Sequence, residues 1–231
     1  MPRRKRSTRW EETKPPTAAA DFSASWKAAA NMEFEEIDKW FYTYADGSSG
    51  LIEPDGVLHL CSDLEIDYTD VRILLLAWKM QAKKQGFFTL EEWRKGIKDL
   101  NVDTIERLKQ TITKLVDEVK HYSTMLLDFY TYAFKYNLTE FSEKSVDKET
   151  CCTLLENILG SKFQSQIAKL IQYLMCQTEY KALNMDQWLG VYRFCQEISF
   201  PDCSNYGEED AWPVILDDFV QMVKTTSIGA I

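Results

Sequence analysis

The chain contains 231 residues, of which 45% are hydrophobic and 13% aromatic, and its formal net charge is −9 at pH 7. This apolar content supports a folded core and excludes a chain that is disordered throughout. The longest unbroken apolar run, Ile73 to Trp78, has six residues, whereas a membrane-spanning helix needs about 20. We therefore expect no membrane segment and no membrane partner.

The N-terminal segment differs in charge from the rest of the chain. Residues 1–16 carry six basic and two acidic side chains, a local charge of +4, which leaves −13 for the remainder. An acidic body repels nucleic-acid phosphates and attracts basic protein surfaces, so we expect a protein partner and no nucleic acid. No apolar stretch follows the basic head, which argues against a secretory signal. We interpret residues 1–31 as a tail, 32–225 as one folded domain and 226–231 as a flexible C-terminus.

From Met32 onward, apolar residues recur at the spacing of an α-helix. The predicted helices cover residues 34–44, 69–84, 103–119, 121–137, 148–158, 163–177, 185–198 and 212–224. Three capping-box patterns mark helix starts; they are Thr89 with Glu92, Asp103 with Glu106, and Asn184 with Gln187. No alternating strand pattern exceeds three residues, so the sequence predicts an all-α fold.

A weak internal repeat indicates how the helices pair. Four similar segments each place an extended apolar residue before an acidic helix start, at Ile52, Phe88, Val146 and Leu183. Their spacings are 36, 58 and 37 residues. Two near-equal intervals on either side of a longer one predict two helix-loop-helix pairs, arranged as in EF-hand proteins, within one compact domain.

The residues argue against a metal site. In a calcium loop that starts at Asp46, Leu51 stands where glycine makes the sharp turn, and Val57 stands where a bidentate glutamate is required. The six cysteines form no C-x-x-C pair and only two histidines are present, which supplies a zinc site poorly. We expect no metal and no cofactor, and we expect the cysteines to be buried structural thiols.

The common catalytic motifs are absent from the sequence. There is no G-x-S-x-G, no H-E-x-x-H and no G-x-x-x-x-G-K motif. His59 and Cys61 are two residues apart on a predicted helix, so their side chains point to different faces and cannot form an activated pair. We therefore predict no catalytic residues and a protein that is not an enzyme.

Several motifs resemble one known domain. The segments Asn184–Trp188, Ser204–Tyr206 and Asp210–Val220 resemble the potentiating-neddylation domain of the defective-in-cullin-neddylation family. Leu75–Lys79 and Phe87–Trp93 resemble the first half of that domain, and Asp128–Phe134 resembles its middle. The motifs occur in the family's order over residues 33–224.

The resemblance implies an all-helical fold of EF-hand-like pairs without metal, in a short member that lacks an N-terminal ubiquitin-binding domain. It implies a scaffold co-ligase that promotes transfer of a ubiquitin-like modifier to a cullin lysine. The implied partners are the C-terminal winged-helix region of a cullin, the neddylation conjugating enzyme with an N-acetylated methionine, and a RING subunit. Holding two partners together raises their effective concentration, and no side chain of the scaffold has to react.

The resemblance places a cullin-binding patch at Asp186, Ala211 and Asp217. Two carboxylates beside a small residue suit Lys or Arg of a partner. Asp217 lies off the apolar stripe of the last helix, so we expect it to face solvent. An alternative role for Asp186 is to stabilise its helix start through the helix dipole, and the two roles are compatible.

The resemblance also implies a pocket for the acetylated methionine. An acetyl group removes the ammonium charge, so the tip can be buried among apolar side chains. Gln85 is the polar residue expected to bind the acetyl amide. The alternative is that the apolar members are ordinary core, which the sequence alone favours for Ile73 and Leu76. The implied lining residues are Val57, Ile73, Leu76, Ala77, Gln85, Phe88, Tyr136 and Leu154.

Three other functions are alternatives to the neddylation scaffold. A helical adaptor that binds partners outside neddylation is the main alternative, and binding to a cullin C-terminal fragment separates the two. A calcium sensor is tested by calorimetry with calcium. The hypothesis that the protein is an enzyme is the one that the residues favour least.

The cluster Arg3-Arg4-Lys5-Arg6 has the composition of a nuclear import signal, and a solvated tail is the alternative. With an import signal, the protein is expected in both the nucleus and the cytoplasm. Deleting residues 2–9 should then move a fluorescently tagged chain toward the cytoplasm, as seen by microscopy. The melting temperature is the control and should not change. An unaltered distribution would favour the solvated tail.

Overall fold

A computed structural model describes residues 35–138, 143–207 and 209–228. Residues 1–34, which include the predicted tail and import signal, lie outside the described residues. The elements in chain order are α1 (35–42), α2 (Pro54–Leu64), α3 (Val71–Met80), α4 (Leu90–Leu100), α5 (Ile105–His121), α6 (Ser123–Tyr136), β1 (Ser145–Asp147), α7 (Lys148–Leu155), a π-helical turn (Glu156–Gly160), α8 (Gln164–Cys176), β2 (Ala182–Asn184), α9 (Met185–Glu197) and α10 (Val214–Ile228).

The prediction of an all-α fold is confirmed, since the strands among the described residues are the three-residue pair β1 and β2. These strands are antiparallel and place Val146 opposite Leu183. Ile52 and Phe88 form a second antiparallel bridge with backbone hydrogen bonds of 3.0 and 2.9 Å. The four apolar positions of the repeat therefore pair within two units, as their spacing predicted. The closer likeness of these units to EF-hands stays a prediction.

Local hydrogen bonds fix the helix starts. Two of the three predicted capping boxes are present, at Thr89 and at Asn184. The third prediction is wrong, because α5 starts one residue later than the sequence pattern indicated and Thr104 is its cap. The Thr104 hydroxyl accepts from the backbone N–H of Arg107 at 3.3 Å. Asp103 instead pairs with the guanidinium of Arg107 at 2.9 Å.

Three helix ends differ from the predicted boundaries by at least three residues. Helix α3 ends at Met80 because Gln81 adopts a left-handed conformation, with φ of 55°, and its N–H closes the last turn. Helix α7 is followed by the π-helical turn, where the sequence predicted continuous α-helix to residue 158. Helix α10 continues to Ile228, so the domain boundary predicted at residue 225 falls inside a helix.

Two apolar cores lie side by side along the chain. The first core gathers side chains of α1 to α5 with Tyr136 of α6, and the second gathers those of α6 to α10 with Leu115 and Val119 of α5. Helix α3 belongs to both, because Leu75 and Trp78 are buried in the second core while Leu76, Ala77 and Met80 are buried in the first. A helix that is apolar on nearly all faces is buried on nearly all faces.

Helix α6 is hydrogen-bonded to α3 and to the segment that follows it. The Trp78 indole N–H donates to Asp128 at 2.9 Å. One helical turn further on, the Tyr132 hydroxyl donates to the carbonyl of Ala82 at 2.9 Å. The Tyr136 hydroxyl accepts from the Gly86 backbone N–H at 3.2 Å. These contacts hold the two cores against each other along one side of α6.

The expectation for the cysteines holds for five of the six and is wrong for Cys176, which is exposed near the end of α8. Burial raises the pKa of Cys151 and of Cys195 to about 12, so both remain neutral thiols at physiological pH. Among the described residues, no helix is long and apolar enough to span a membrane.

Gly56 is required for the docking of α2, because a Cβ at this position would lie 2.1 Å from the carbonyl oxygen of Tyr44. Gly56→Ala should lower the free energy of unfolding by about 1–3 kcal/mol, since backbone has to move. Gly47→Ala is the matched control, because a Cβ there meets nothing within 4 Å. Urea denaturation measures both, and equal stability of the two variants would contradict this packing.

Candidate partner-binding sites

A cleft of about 650 Å³ lies where the two cores meet. Its walls come from the start of α2, the first turn of α3, the segment that follows α3, the end of α6 and the outer face of α7. The structure places six of the eight predicted pocket residues in this wall; they are Val57, Ile73, Gln85, Phe88, Tyr136 and Leu154.

The assignment of Leu76 and Ala77 to the pocket is wrong. Both side chains are 0% exposed and belong to the first core. Only the first turn of α3 reaches the cleft, and the next turn is covered by α4 and α5, which pack against it. For Leu76 the core interpretation that the sequence favoured is therefore the correct one, whereas Ile73 lines the cleft and is partly exposed.

The floor of the cleft is apolar and firmly packed. Phe88 is 1% exposed and is held by its backbone bridge to Ile52. Val57 and Leu154 approach from α2 and α7 and are also buried. A polar or charged group placed against this floor would lose its water without gaining a partner, so the floor suits a neutral apolar ligand.

One end of the cleft carries two amide side chains that are hydrogen-bonded to each other. The Asn137 side-chain NH₂ donates to the carbonyl of Ala133 at 2.8 Å, which leaves its amide oxygen to accept from Gln85 at 3.2 Å. The side-chain carbonyl oxygen of Gln85, Oε1, has no partner among the described residues and can accept a hydrogen bond from a ligand N–H. Burial raises the pKa of Tyr136 to about 12, so its hydroxyl stays neutral beside this amide pair.

The charged side chains in the wall of the cleft are acidic, Asp70 and Glu149. Asp70 caps α3 by accepting from the Arg72 backbone N–H at 2.9 Å, and it also pairs with the Arg72 guanidinium, which lowers the pKa of its carboxyl. Glu149 is exposed. Leu58 and Tyr68 are 50% and 64% exposed at the rim, where they offer apolar surface to a longer ligand.

Sequence reasoning missed a row of wall residues on α7 and the π-helical turn that follows it. Thr150, Thr153 and Asn157 line the cleft with Leu154. They stand four residues before, one before and three after Leu154, so helical spacing from that residue would have found Thr150 and Asn157. Tyr68 and Asn137 lie outside helices and carry no comparable signal.

The predicted cullin-binding residues surround a close contact between α9 and the start of α10. A Cβ at Gly190 would lie 2.7 Å from Pro213 Cγ, so the two segments touch. Asp186 stands one helical turn before Gly190, Ala211 two residues before Pro213, and Asp217 one turn after it. We call these three residues the acidic patch.

Asp186 is exposed in the first turn of α9. The cap of this helix is Asn184, whose side chain accepts from Gln187 N at 2.9 Å, while Gln187 accepts from Asn184 N at 2.9 Å. The backbone donors at this helix start are therefore served by other residues. Asp186 retains the favourable dipole interaction, and its carboxylate is open to a partner.

The expectation that the Asp217 side chain faces solvent is only partly met. It is half-buried, and its Oδ1 accepts from the Tyr206 hydroxyl at 2.6 Å. Burial is the larger cause, and the hydrogen bond to the Asp217 carboxylate the smaller one, of the rise in the pKa of Tyr206 above its usual range. Ala211 is exposed beside this pair, as expected of a position that lets a partner approach.

An aromatic stack supports the acidic patch. The rings of Tyr206 and Trp212 are stacked with centroids 5.3 Å apart, and the guanidinium of Arg193 lies 4.1 Å from the Trp212 ring centroid. The Trp212 indole N–H is buried and has no hydrogen-bond partner among the described residues.

Comparison with known proteins covers both sites. A family model described as cullin binding matches residues 107–222, which contain the acidic patch and the α6 and α7 walls of the cleft. Similar proteins are DCN1-like protein 4 of Homo sapiens, 37% identical over 80% of this chain, DCN1-like protein 4 of Danio rerio, 33% over 90%, and DCN1-like protein 5 of Homo sapiens, 36% over 81%.

The chain belongs to the cullin-binding family. The resemblance that the sequence motifs indicated is thereby confirmed. The aligned region spans 62% of the length of human DCN1-like protein 4 and 78% of each of the other two relatives. Of the two sites, the acidic patch lies wholly inside the residues matched by the family model, whereas the α2 and α3 walls of the cleft precede them.

Proposed function

We propose that this protein is a non-catalytic scaffold that promotes cullin neddylation. It binds the C-terminal winged-helix region of a cullin at the acidic patch, and it binds the acetylated N-terminus of the conjugating enzyme in the cleft. The observation that carries the proposal is the open cleft between the two cores, with an apolar floor and a hydrogen-bonded amide pair, in a chain of the cullin-binding family.

The cleft suits an acetylated methionine for two reasons. Its floor of Val57, Phe88 and Leu154 matches an unbranched thioether side chain, which adapts to irregular apolar surfaces. The free carbonyl oxygen of Gln85 is a suitable acceptor for the amide N–H that acetylation creates. The exposed Glu149 at the edge favours a basic residue further along the bound segment.

The acidic patch suits a basic cullin surface. Its two carboxylates flank Ala211, whose small side chain allows close approach, and charge-assisted hydrogen bonds to Lys or Arg are stronger than neutral ones. The acidic body of the chain, of net charge −13 after residue 16, steers such a partner toward the protein.

Binding both partners is sufficient for activity without any reacting side chain. A second partner held on the same scaffold meets the first at a high effective concentration, and a fixed orientation of the cullin lysine lowers the entropic part of the barrier. The RING subunit is expected to act beside the scaffold in the assembled ligase. Nuclear and cytoplasmic localisation is proposed from the basic cluster in the N-terminal segment.

An acetylated N-terminal peptide of the conjugating enzyme should bind the cleft at least about tenfold more tightly than the same peptide with a free amine, or about 1.4 kcal/mol. The free amine has to bury its charge or lose it, which is unfavourable on an apolar floor. Isothermal calorimetry with both peptides measures the difference. Gln85→Ala should reduce it, because the acceptor for the acetylated N–H is removed. Equal affinities of the two peptides would contradict the pocket assignment.

Asp217→Ala should weaken binding of a cullin C-terminal fragment by about 1–3 kcal/mol, since a charge-assisted contact is lost. Ala211→Arg should weaken it further, because it adds bulk and a like charge. Asp218→Ala is the matched control, because Asp218 is the adjacent acid on α10 and also accepts from a tyrosine, Tyr180, at 2.7 Å. Unchanged affinity of a triple variant of the acidic patch would remove this site assignment.

A further inference from the structure

We infer that Tyr206 is a positioning residue for cullin recognition, because its hydroxyl holds one oxygen of Asp217 and so directs the other oxygen toward a basic side chain of the partner. This inference rests on the proposed function, in which Asp217 belongs to the cullin-binding surface. Tyr206 would act through its contact with the Asp217 carboxylate, without touching the partner itself.

The hydrogen bond occupies only part of the Asp217 carboxylate. Oδ1 accepts from the Tyr206 hydroxyl at 2.6 Å, and Oδ2 has no partner among the described residues. A carboxylate can accept several hydrogen bonds, so the bond to Tyr206 leaves capacity for Lys or Arg. A side chain that is already fixed loses less conformational freedom on binding, which favours affinity without a new contact.

Tyr206 is itself held rigidly. It is 7% exposed, and its ring stacks on Trp212 with an angle of 22° between the planes. The Arg193 guanidinium that lies against Trp212 also pairs with Glu197, at 2.9 Å. The hydroxyl of Tyr206 is therefore presented to Asp217 by a packed aromatic pair rather than by a mobile side chain.

The segment before Tyr206 is tied to the end of α9. The Asn205 side chain donates to the carbonyl of Glu197 at 2.8 Å and accepts from the backbone N–H of Ser199 at 2.7 Å. Both bonds are made by the residue immediately before Tyr206, so they fix the point from which its ring extends. The same stretch of chain leads on to Ala211, the centre of the acidic patch.

The chain contains a matched pair for comparison. Tyr180 donates to Asp218 at 2.7 Å, nearly the same bond to the adjacent residue of α10. Asp218 is exposed and lies about 100° further around the helix than Asp217. If the loss of a tyrosine–aspartate bond on α10 acted only through stability, Tyr180→Phe and Tyr206→Phe would affect cullin binding alike.

The test measures binding of a cullin C-terminal fragment to the full-length chain by biolayer interferometry. The variants are Tyr206→Phe, Asp217→Ala, the double variant and Tyr180→Phe. Tyr206→Phe keeps the stacked ring and should weaken binding about fivefold, the effect of one hydrogen bond. The loss should appear as faster dissociation, with an unchanged association rate and salt dependence, because the charge of Asp217 remains. Tyr180→Phe should change affinity by less than about twofold.

The double variant separates positioning from a general structural role. If Tyr206 acts through Asp217, Tyr206→Phe should cause no further loss in the Asp217→Ala background. An equal loss in both backgrounds, an equal loss from Tyr180→Phe, or no loss from Tyr206→Phe while Asp217→Ala weakens binding would each overturn the inference and leave the proposed function intact. No loss from Asp217→Ala would remove the proposed site, and the inference with it.

Discussion

Helix α3 makes the contact on which the rest of the structure depends, because its opposite faces are buried in two different cores. Leu76 and Met80 are packed in the first core, and Leu75 and Trp78 are packed in the second. A helix enclosed in this way fixes the relative position of the two helix-loop-helix units. The cleft is formed where this packing ends, at the first turn of α3, so its shape follows from the junction of the cores rather than from a loop.

The two proposed sites differ in the physical chemistry that they offer a partner. The cleft excludes charge from an apolar floor and offers one amide acceptor at its end, which selects a neutral, amide-bearing ligand. The acidic patch lies at the surface around the contact of α9 with α10 and uses charge, which adds association rate and orientation more than affinity. In the proposed function, apolar burial for one partner and charge for the other would let the two partners bind without competing for one surface.

The sequence predicted the helices because their apolar side chains keep a period of 3.6 residues. The repeat predicted two helix-loop-helix pairs, and in the structure Ile52 faces Phe88 in one pair and Val146 faces Leu183 in the other. It failed where one residue or one turn decides the outcome. Leu76 and Ile73 have isomeric apolar side chains and lie on one helix, yet only Ile73 reaches the cleft. The bond from Tyr206 to Asp217 spans 11 residues and depends on the path of a loop, which periodicity does not describe.

The central claim, that one scaffold acts by holding two partners, is tested most directly in a neddylation assay of purified components. The assay contains a cullin C-terminal fragment with its RING subunit, the charged conjugating enzyme, and either the wild-type chain or variants at one or both sites. Gln85→Ala with Leu154→Ala alters the cleft, and Asp217→Ala alters the acidic patch. A two-partner mechanism requires that wild type accelerates modification of the cullin and that either alteration reduces this acceleration. It also requires that a chain altered at both sites leaves the rate near its unassisted value. Full acceleration by the chain altered at both sites would contradict it.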